Sequence, residues 1–200
     1  KRIDKLTFAL LDKAGAGIGE MLRHNAKLKL SFNVTPDQLL DPLFIEHFVA
    51  KISQANLNPS QLVIEITERQ PISDIQAALR VSRELSELGV RLALDDSGTG
   101  HNGLSSLHAL QAHYLKIDKY FVDGVVLDRK SSALVEALIS LAKQFGMEVV
   151  AEGIETEEQR IKLLDLGIRE GQGYLFAKPL SASDLIARAE QNPSLMPQAA

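Results

Sequence analysis

The chain has 200 residues, of which 45% are hydrophobic and 24% are charged, with a formal net charge of -4 and no cysteine. This composition excludes disordered, collagen-like and coiled-coil proteins, and the absence of cysteine excludes a disulfide framework and thiolate chemistry. The negative charge argues against a protein that coats DNA or RNA, because neutralising phosphates requires a clustered excess of lysine and arginine.

Six apolar stretches of strand length follow one another along the chain, and most are separated by helical patterns. They cover residues 28–34, 61–67, 90–96, 113–118, 147–152 and 171–176. Several of the helical patterns end in a glycine just before the next strand. Alternation of this kind is typical of parallel βα units.

Four helices carry recognisable start signals. The predicted first residues or caps are Asp41 with Pro42, Ser73, Ser131 or Ser132, and Thr156, which forms a capping box with Gln159. The predicted apolar faces are Phe44, Phe48 and Ile52 in the first helix, Ile75, Leu79, Leu85 and Leu88 in the second, and Leu134, Leu138, Leu141 and Phe145 in the third.

Chemically capable side chains fall at the carboxyl ends of the strands. They are Asn33, Glu65, Asp95, Asp96, Lys116, Asp118, Glu152 and Gln172. An open α/β sheet would concentrate such residues near one switch point, whereas a barrel distributes them over all its strands. The pattern therefore predicts an α/β fold of the TIM-like (β/α)8 type. A closed barrel needs eight strands and six are visible, so we expect residues 1–190 to form a barrel domain that is incomplete at its N-terminus, followed by a flexible tail at 191–200.

The carboxylates at these strand ends indicate a metal site. Carboxylate and amide oxygens suit Mg²⁺ or Mn²⁺ better than zinc, and adjacent Asp95 and Asp96 could bind two cations if one carboxylate bridges them. Lys116 could stabilise charge on a phosphodiester or help to handle the proton of an attacking water. The alternative for Asp95 and Asp96 alone is a simple turn, but a turn does not explain Glu65 and Glu152 at the ends of other strands.

Six motifs, in order, strongly resemble the EAL-domain cyclic di-GMP phosphodiesterases. They are SFNVT (31–35), IEITE (64–68), LDDSGTG (94–100), LKID (115–118), AEGIET (151–156) and GQGYLF (171–176). The resemblance implies a modified (β/α)8 barrel with one antiparallel strand. It also implies hydrolysis of cyclic di-GMP to linear pGpG with Mg²⁺ or Mn²⁺.

The same resemblance implies roles for individual residues. Asn33, Glu65, Asp95, Asp96 and Glu152 resemble the metal ligands, with Asp95 bridging. Lys116 resembles the catalytic lysine, and the resemblance also puts Glu152 and Glu155 in the catalytic set. Glu155 resembles the glutamate that steadies the loop after the aspartate pair. Gln172 resembles a substrate-pocket residue, and Asp118 is either a substrate contact or structural.

Two departures from the family pattern stand out. The Glu-x-Leu motif that gives the family its name, with one metal-binding glutamate, is expected on a strand before Lys1. The literal Glu136-Ala137-Leu138 lies in the middle of a predicted helix, where we expect Glu136 to be solvated and to bind no metal. In addition, Ser97 stands where the family usually has a bulky aromatic residue.

Three functions remain open at this stage: a phosphodiesterase, a catalytically inactive cyclic di-GMP receptor, and a scaffold that binds no nucleotide. The resemblance implies a homodimer formed through the barrel and an upstream sensory or regulatory domain. No apolar run approaches the roughly 20 residues of a transmembrane helix, and residues 1–11 lack the pattern of a signal peptide. We therefore expect a cytoplasmic domain, with any membrane anchor elsewhere in the protein.

Overall fold

The computed structural model describes residues 2–67, 70–97 and 110–191. Its centre is a six-stranded sheet in which every neighbouring pair of strands is parallel and the strands follow chain order. The strands are β1 (Leu30–Val34), β2 (Leu62–Thr67), β3 (Arg91–Ser97), β4 (Tyr114–Ile117), β5 (Glu148–Ala151) and β6 (Glu170–Gly171). The sheet curls into a partial (β/α) barrel, which confirms the predicted fold class and its six strands.

Helices alternate with the strands. They are α1 (Arg2–His24), α2 (Pro36–Leu39), α3 (Pro42–Gln54), α4 (Ile75–Glu87), α5 (Lys119–Gly124), α6 (Arg129–Gln144), α7 (Glu157–Asp165) and α8 (Ala182–Glu190), with a short 3₁₀ helix at Pro59–Gln61. None of the helices among the described residues combines the length and the apolar character needed to cross a membrane. The tail expected at 191–200 falls almost entirely outside the described residues, which end at 191.

The apolar core lies on both faces of the sheet. Between the sheet and the helices, one cluster surrounds Phe48 and Ile64 and a second surrounds Ile117 and Val135. A smaller cluster fills the concave face of the sheet, formed by Val63, Ala93, Tyr114 and the partly buried Val150. Because side chains alternate along each strand, this concave face is the one that carries the polar residues at the strand ends.

The predicted helix starts are confirmed at Asp41 and at the Thr156 capping box, and they are wrong at two places. The cap of α4 is Asp74, not Ser73, and its carboxylate accepts a hydrogen bond from the Ala77 N–H at 2.9 Å. The cap of α6 is Asp128, not Ser131 or Ser132. Asp74 lies one residue after Ser73, and Asp128 lies three residues before Ser131. In both cases the aspartate offers a charged acceptor to the free N–H groups, which makes it the stronger cap.

The predicted apolar faces of α4 and α6 are also wrong in part. In α6 the buried positions are Ser131, Val135 and Ala142, while Leu134 and Phe145 are 36% and 51% exposed. In α4 the buried positions are Ala78, Ser82 and Leu85, while Ile75 and Leu88 are 46% and 44% exposed. Several of these buried residues are small, so a count of large apolar residues does not detect them. Glu136 is exposed on α6, as predicted.

The last predicted strand, 171–176, is much shorter in the structure, where β6 covers only Glu170–Gly171. After Gln172 the chain turns around Ile154, and the Leu175 N–H donates to the Ile154 carbonyl at 3.0 Å. Gly173 lies against the Ile154 backbone so closely that a Cβ at this position would lie 2.7 Å from Ile154 C and closer still to its N and O atoms. This close approach ends the strand and explains why Tyr174 and Phe176 are exposed.

Replacing Gly173 by alanine is expected to lower the free energy of unfolding by about 1–3 kcal/mol, because backbone atoms must move to admit the methyl group. Chemical denaturation monitored by circular dichroism measures the loss. Gly19→Ala in α1 is the control, since a Cβ there meets only the end of the Arg23 side chain, and alanine is the better helix former. Equal stability of the Gly173→Ala and wild-type proteins would contradict the close approach.

Candidate metal centre

The concave face of the sheet brings the polar strand ends together. Lys116 lies in β4, whose four residues are all buried, with its side chain on the same face as Tyr114. Leu115 and Ile117 point to the opposite face and join the two clusters under the helices. The alternation of β4 therefore places a charged amine inside the barrel, where only 4% of the lysine is exposed.

Three carboxylates surround the Lys116 ammonium. Its Nζ lies 2.7 Å from Glu65 Oε2, 3.0 Å from Asp95 Oδ1 and 2.5 Å from Glu152 Oε1. These carboxylates come from β2, from β3 and from the residue directly after β5, and their side chains are 11%, 14% and 17% exposed. A buried ammonium is tolerated only with such partners, so Lys116 and the carboxylates hold one another in place.

Burial and charge act against each other in this cluster. Burial lowers the pKa of Lys116, but hydrogen bonds to Glu152 and Glu65 and the negative charges of Glu65 and Asp95 outweigh it, so the net shift is upward. Burial, together with the negative charges of Asp95 and Glu65, raises the pKa of Glu152 more than the hydrogen bond and charge of Lys116 lower it. Both shifts favour bound protons, as expected where several carboxylates share a single cation.

A backbone irregularity places Asp95 and Asp96 side by side. Consecutive side chains of a regular strand point to opposite faces, but Asp96 has a φ of +57°, in the left-handed region. The β3–β4 register shifts at this point: Leu94 pairs with Leu115 and Ser97 pairs with Ile117, so both aspartates lie opposite Lys116. This bulge re-aims one carboxylate without ending the strand.

The result is a compact group of acidic side chains. Ligand oxygens of Asp95, Asp96 and Glu152 all lie within 4.8 Å of one another. Asp95 Oδ1 is buried and forms an ion pair with Lys116 Nζ at 3.0 Å, but it accepts no hydrogen bond among the described residues. Hard carboxylate oxygens with an acceptor left over fit a divalent cation such as Mg²⁺ or Mn²⁺.

The two other predicted ligands lie further along the sheet. Glu65 is joined to the acidic group through its hydrogen bond with Lys116. Asn33 pairs in register with Glu65 on the adjacent strand, and its side chain is exposed. Both therefore face the same end of the barrel, and their roles as ligands stay predictions.

The remaining predicted residues form a second layer. Gln172 donates from Nε2 to Glu152 Oε1 at 2.9 Å. Asp118 caps α5, where its carboxylate accepts a hydrogen bond from the Tyr120 N–H at 2.7 Å. This contact gives Asp118 a structural role. Glu155 forms an ion pair with Lys119, at 2.9 Å between Oε1 and Nζ.

Sequence reasoning missed a groove beside the acidic group. It has a volume of about 610 Å³ and is lined in part by Lys119, Glu152, Gln172, Tyr174 and Lys178. Tyr174 is 59% exposed, and the Lys178 ammonium lies 5.9 Å from the centre of its ring. The apolar residues of GQGYLF predict a strand, but in the structure Gln172, Gly173 and Tyr174 of this motif line the groove.

Parts of the predicted site lie outside the described residues. The loop after the aspartate pair, residues 98–109, is one of them, and it includes the segment that Glu155 was predicted to steady. The expected effect of Ser97 on that loop therefore stays a prediction.

Comparisons with known proteins identify relatives of this chain. Residues 1–179 match the family model described as EAL domain. The cyclic di-GMP phosphodiesterase RocR of Pseudomonas aeruginosa is 34% identical over 178 residues, which are 89% of this chain and 45% of RocR. The crystal structure of the EAL domain of Mycobacterium smegmatis DcpA superposes with a TM-score of 0.85 at 33% identity, covering 90% of this chain and 82% of that one.

A third relative is known in a complex with metal and nucleotide. The manganese and cyclic di-GMP complex of Klebsiella pneumoniae BlrP1 superposes with a TM-score of 0.78 at 31% identity, covering 88% of this chain and 45% of that one. The chain thus spans less than half the length of RocR and of BlrP1. The match over residues 1–179 and the identity to RocR confirm the resemblance inferred from the six motifs, and the chain belongs to the EAL domain family.

Proposed function

We propose that this chain hydrolyses cyclic di-GMP to linear pGpG with the help of two divalent cations, Mg²⁺ or Mn²⁺. The observation that carries the proposal is the acidic group of Asp95, Asp96 and Glu152 around a buried Lys116, at the end of the barrel where active sites of this fold lie. The names of RocR and of the BlrP1 complex support this substrate and a divalent metal.

The donor set supports a choice of residues that would hold the cations. Asp95, Asp96 and Glu152 would bind them, with Glu65 and Asn33 as further ligands, and Asp95 would contribute a buried oxygen that accepts no hydrogen bond among the described residues. When bound, such cations lower the pKa of a water molecule and polarise the phosphoryl oxygens.

The side chains of the chain itself supply orientation and charge. Lys116 places a positive charge beside the acidic group, where it can stabilise the negative charge that develops on the phosphodiester as the water attacks and the 3′ oxygen leaves. Gln172 donates a hydrogen bond to Glu152 Oε1, the same oxygen that Lys116 contacts. The two contacts restrain this end of the Glu152 carboxylate.

The groove beside the acidic group is where the nucleotide would lie. Its volume of about 610 Å³ falls within the range of small-molecule sites. Tyr174 offers an exposed ring on which a guanine could stack, and Lys178 lies beside that ring and could approach a phosphate. Tyr114 and Phe121 are buried, at 7% and 8% exposure, and thus belong to the core.

The test is a turnover assay on the purified full-length protein that contains this chain. Incubation of cyclic di-GMP with Mg²⁺ or Mn²⁺ is expected to yield pGpG, separated by liquid chromatography, and a chelator is expected to stop the reaction. No pGpG with either metal would refute the proposal. Tight, metal-independent binding of cyclic di-GMP without turnover would instead identify a receptor.

We further propose a cytoplasmic location, a homodimer and a regulatory domain elsewhere in the protein. The lengths of RocR and BlrP1 beyond the matched region support the presence of other domains in relatives. Light scattering of the full-length protein tests the homodimer.

A further inference from the structure

Lys119 connects two segments that follow neighbouring strands. It is the first residue of α5, directly after β4 and its cap. Its Nζ lies 2.6 Å from Asp123 Oδ1 within α5 and 2.9 Å from Glu155 Oε1 in the segment that follows β5. One ammonium therefore ties the start of α5 to the chain just beyond Glu152.

The alkyl part of Lys119 packs against the same segment. Gly153 has a φ of +69°, and a Cβ added there would lie 2.6 Å from Lys119 Cβ and 2.7 Å from Lys119 Cδ. Glycine is thus required both by the backbone conformation and by the lysine that covers it. Gly153, which directly follows Glu152, is therefore restrained both by its left-handed backbone conformation and by the Lys119 side chain packed against it.

Backbone hydrogen bonds carry this constraint to both neighbours. The Glu152 N–H donates to the Ile117 carbonyl of β4, and the Ile154 N–H donates to the Gln172 carbonyl, each at 3.0 Å. Lys119 contacts segment 153–155 at Gly153 and Glu155, and this segment directly follows Glu152 and is hydrogen-bonded to Gln172. Glu152 supplies a carboxylate of the acidic group, and the Gln172 amide donates a hydrogen bond to that carboxylate.

We propose that Lys119 is a positioning residue for the metal centre: by bridging Asp123 and Glu155 and covering Gly153, it fixes Glu152 and Gln172 in the orientation that binds the cation. This inference rests on the proposed function, which supplies the cation. The side chains of the two ion pairs are between 45% and 49% exposed, so the pairs contribute little to global stability. Their effect is on the geometry of the site.

Lys119→Met tests the inference, because methionine retains an unbranched side chain over Gly153 and removes only the charge. Mn²⁺ affinity, measured by calorimetry on metal-free protein, is expected to fall about 10- to 100-fold, as for other groups that orient metal ligands, with a fall of similar size in kcat and little change in melting temperature. Hydrogen exchange of the amides of residues 153–155 is expected to accelerate. Lys119→Arg should restore most of the affinity, and Lys143→Met, at an exposed lysine of α6, is the matched control.

Wild-type Mn²⁺ affinity and wild-type exchange in Lys119→Met would overturn the inference. So would an equal loss in Lys143→Met. The proposed function fails separately: if the wild-type protein binds Mn²⁺ but forms no pGpG, the hydrolase is refuted and the affinities still decide the role of Lys119. A wild-type protein that binds neither Mn²⁺ nor Mg²⁺ refutes both.

Discussion

Replacing Lys116 by methionine is expected to reduce hydrolysis of cyclic di-GMP about 100- to 1,000-fold, the loss typical of removing one fixed group that stabilises developing negative charge. The same change should lower the free energy of unfolding of the metal-free protein by about 3–5 kcal/mol. It leaves Glu65, Asp95 and Glu152 within reach of one another, with side chains no more than 17% exposed and without their shared cation. Repulsion among the three carboxylates and the loss of their hydration then both lower the free energy of unfolding.

Denaturant unfolding in the presence of a chelator measures the stability effect. Because a bound cation would take over part of the role of the ammonium, Mn²⁺ should raise the melting temperature of Lys116→Met by more than that of the wild type. Lys143→Met, again on the surface of α6, should match the wild type in both measurements. A fully active Lys116→Met protein would remove lysine from the proposed chemistry.

Replacing Asp95 by asparagine is expected to abolish turnover without unfolding the protein. The substitution preserves shape but removes the charge of the carboxylate that has a buried acceptor to spare. Removing a residue that only orients a metal ligand costs about 10- to 100-fold in activity, so loss of a carboxylate proposed to bind the cation itself should exceed about 100-fold. The metal-free variant should be at least as stable as the wild type, because one of several mutually repelling carboxylates has been neutralised.

The measurements are pGpG formation and the shift in melting temperature on adding Mn²⁺, which should disappear in Asp95→Asn. Glu136→Gln is the control, since Glu136 belongs to the literal Glu-Ala-Leu sequence but is exposed on α6 and remote from the acidic group in the chain. It should retain wild-type activity and a wild-type shift. An Asp95→Asn protein that still responds to Mn²⁺ would show that the cation binds elsewhere.

The periodicity of the chain predicted the fold well where local rules dominate. Buried parallel strands between helices are fixed by apolar runs and by caps such as the Thr156 box, both of which are short-range patterns. The same rules failed for the buried face of α6. Val135 and Ala142 lie on that face, and which residues are buried there depends on the space between the helix and its neighbours. They also failed at β6, which is cut short by contact with Ile154, a residue from the other side of α7.

The sequence by itself determined that Glu65, Asp95, Lys116 and Glu152 lie together at one end of the sheet. Alternation along parallel strands sends every second side chain to one face, and the carboxyl ends of the strands lie at one end of the barrel. The sequence did not determine how those residues meet. Three features depend on strands and loops that are neighbours in space but far apart in the chain. They are the left-handed backbone at Asp96, the position of the Lys116 ammonium among three carboxylates, and the packing of Lys119 against Gly153. Distances of this kind are set by packing between elements, which only the tertiary structure fixes.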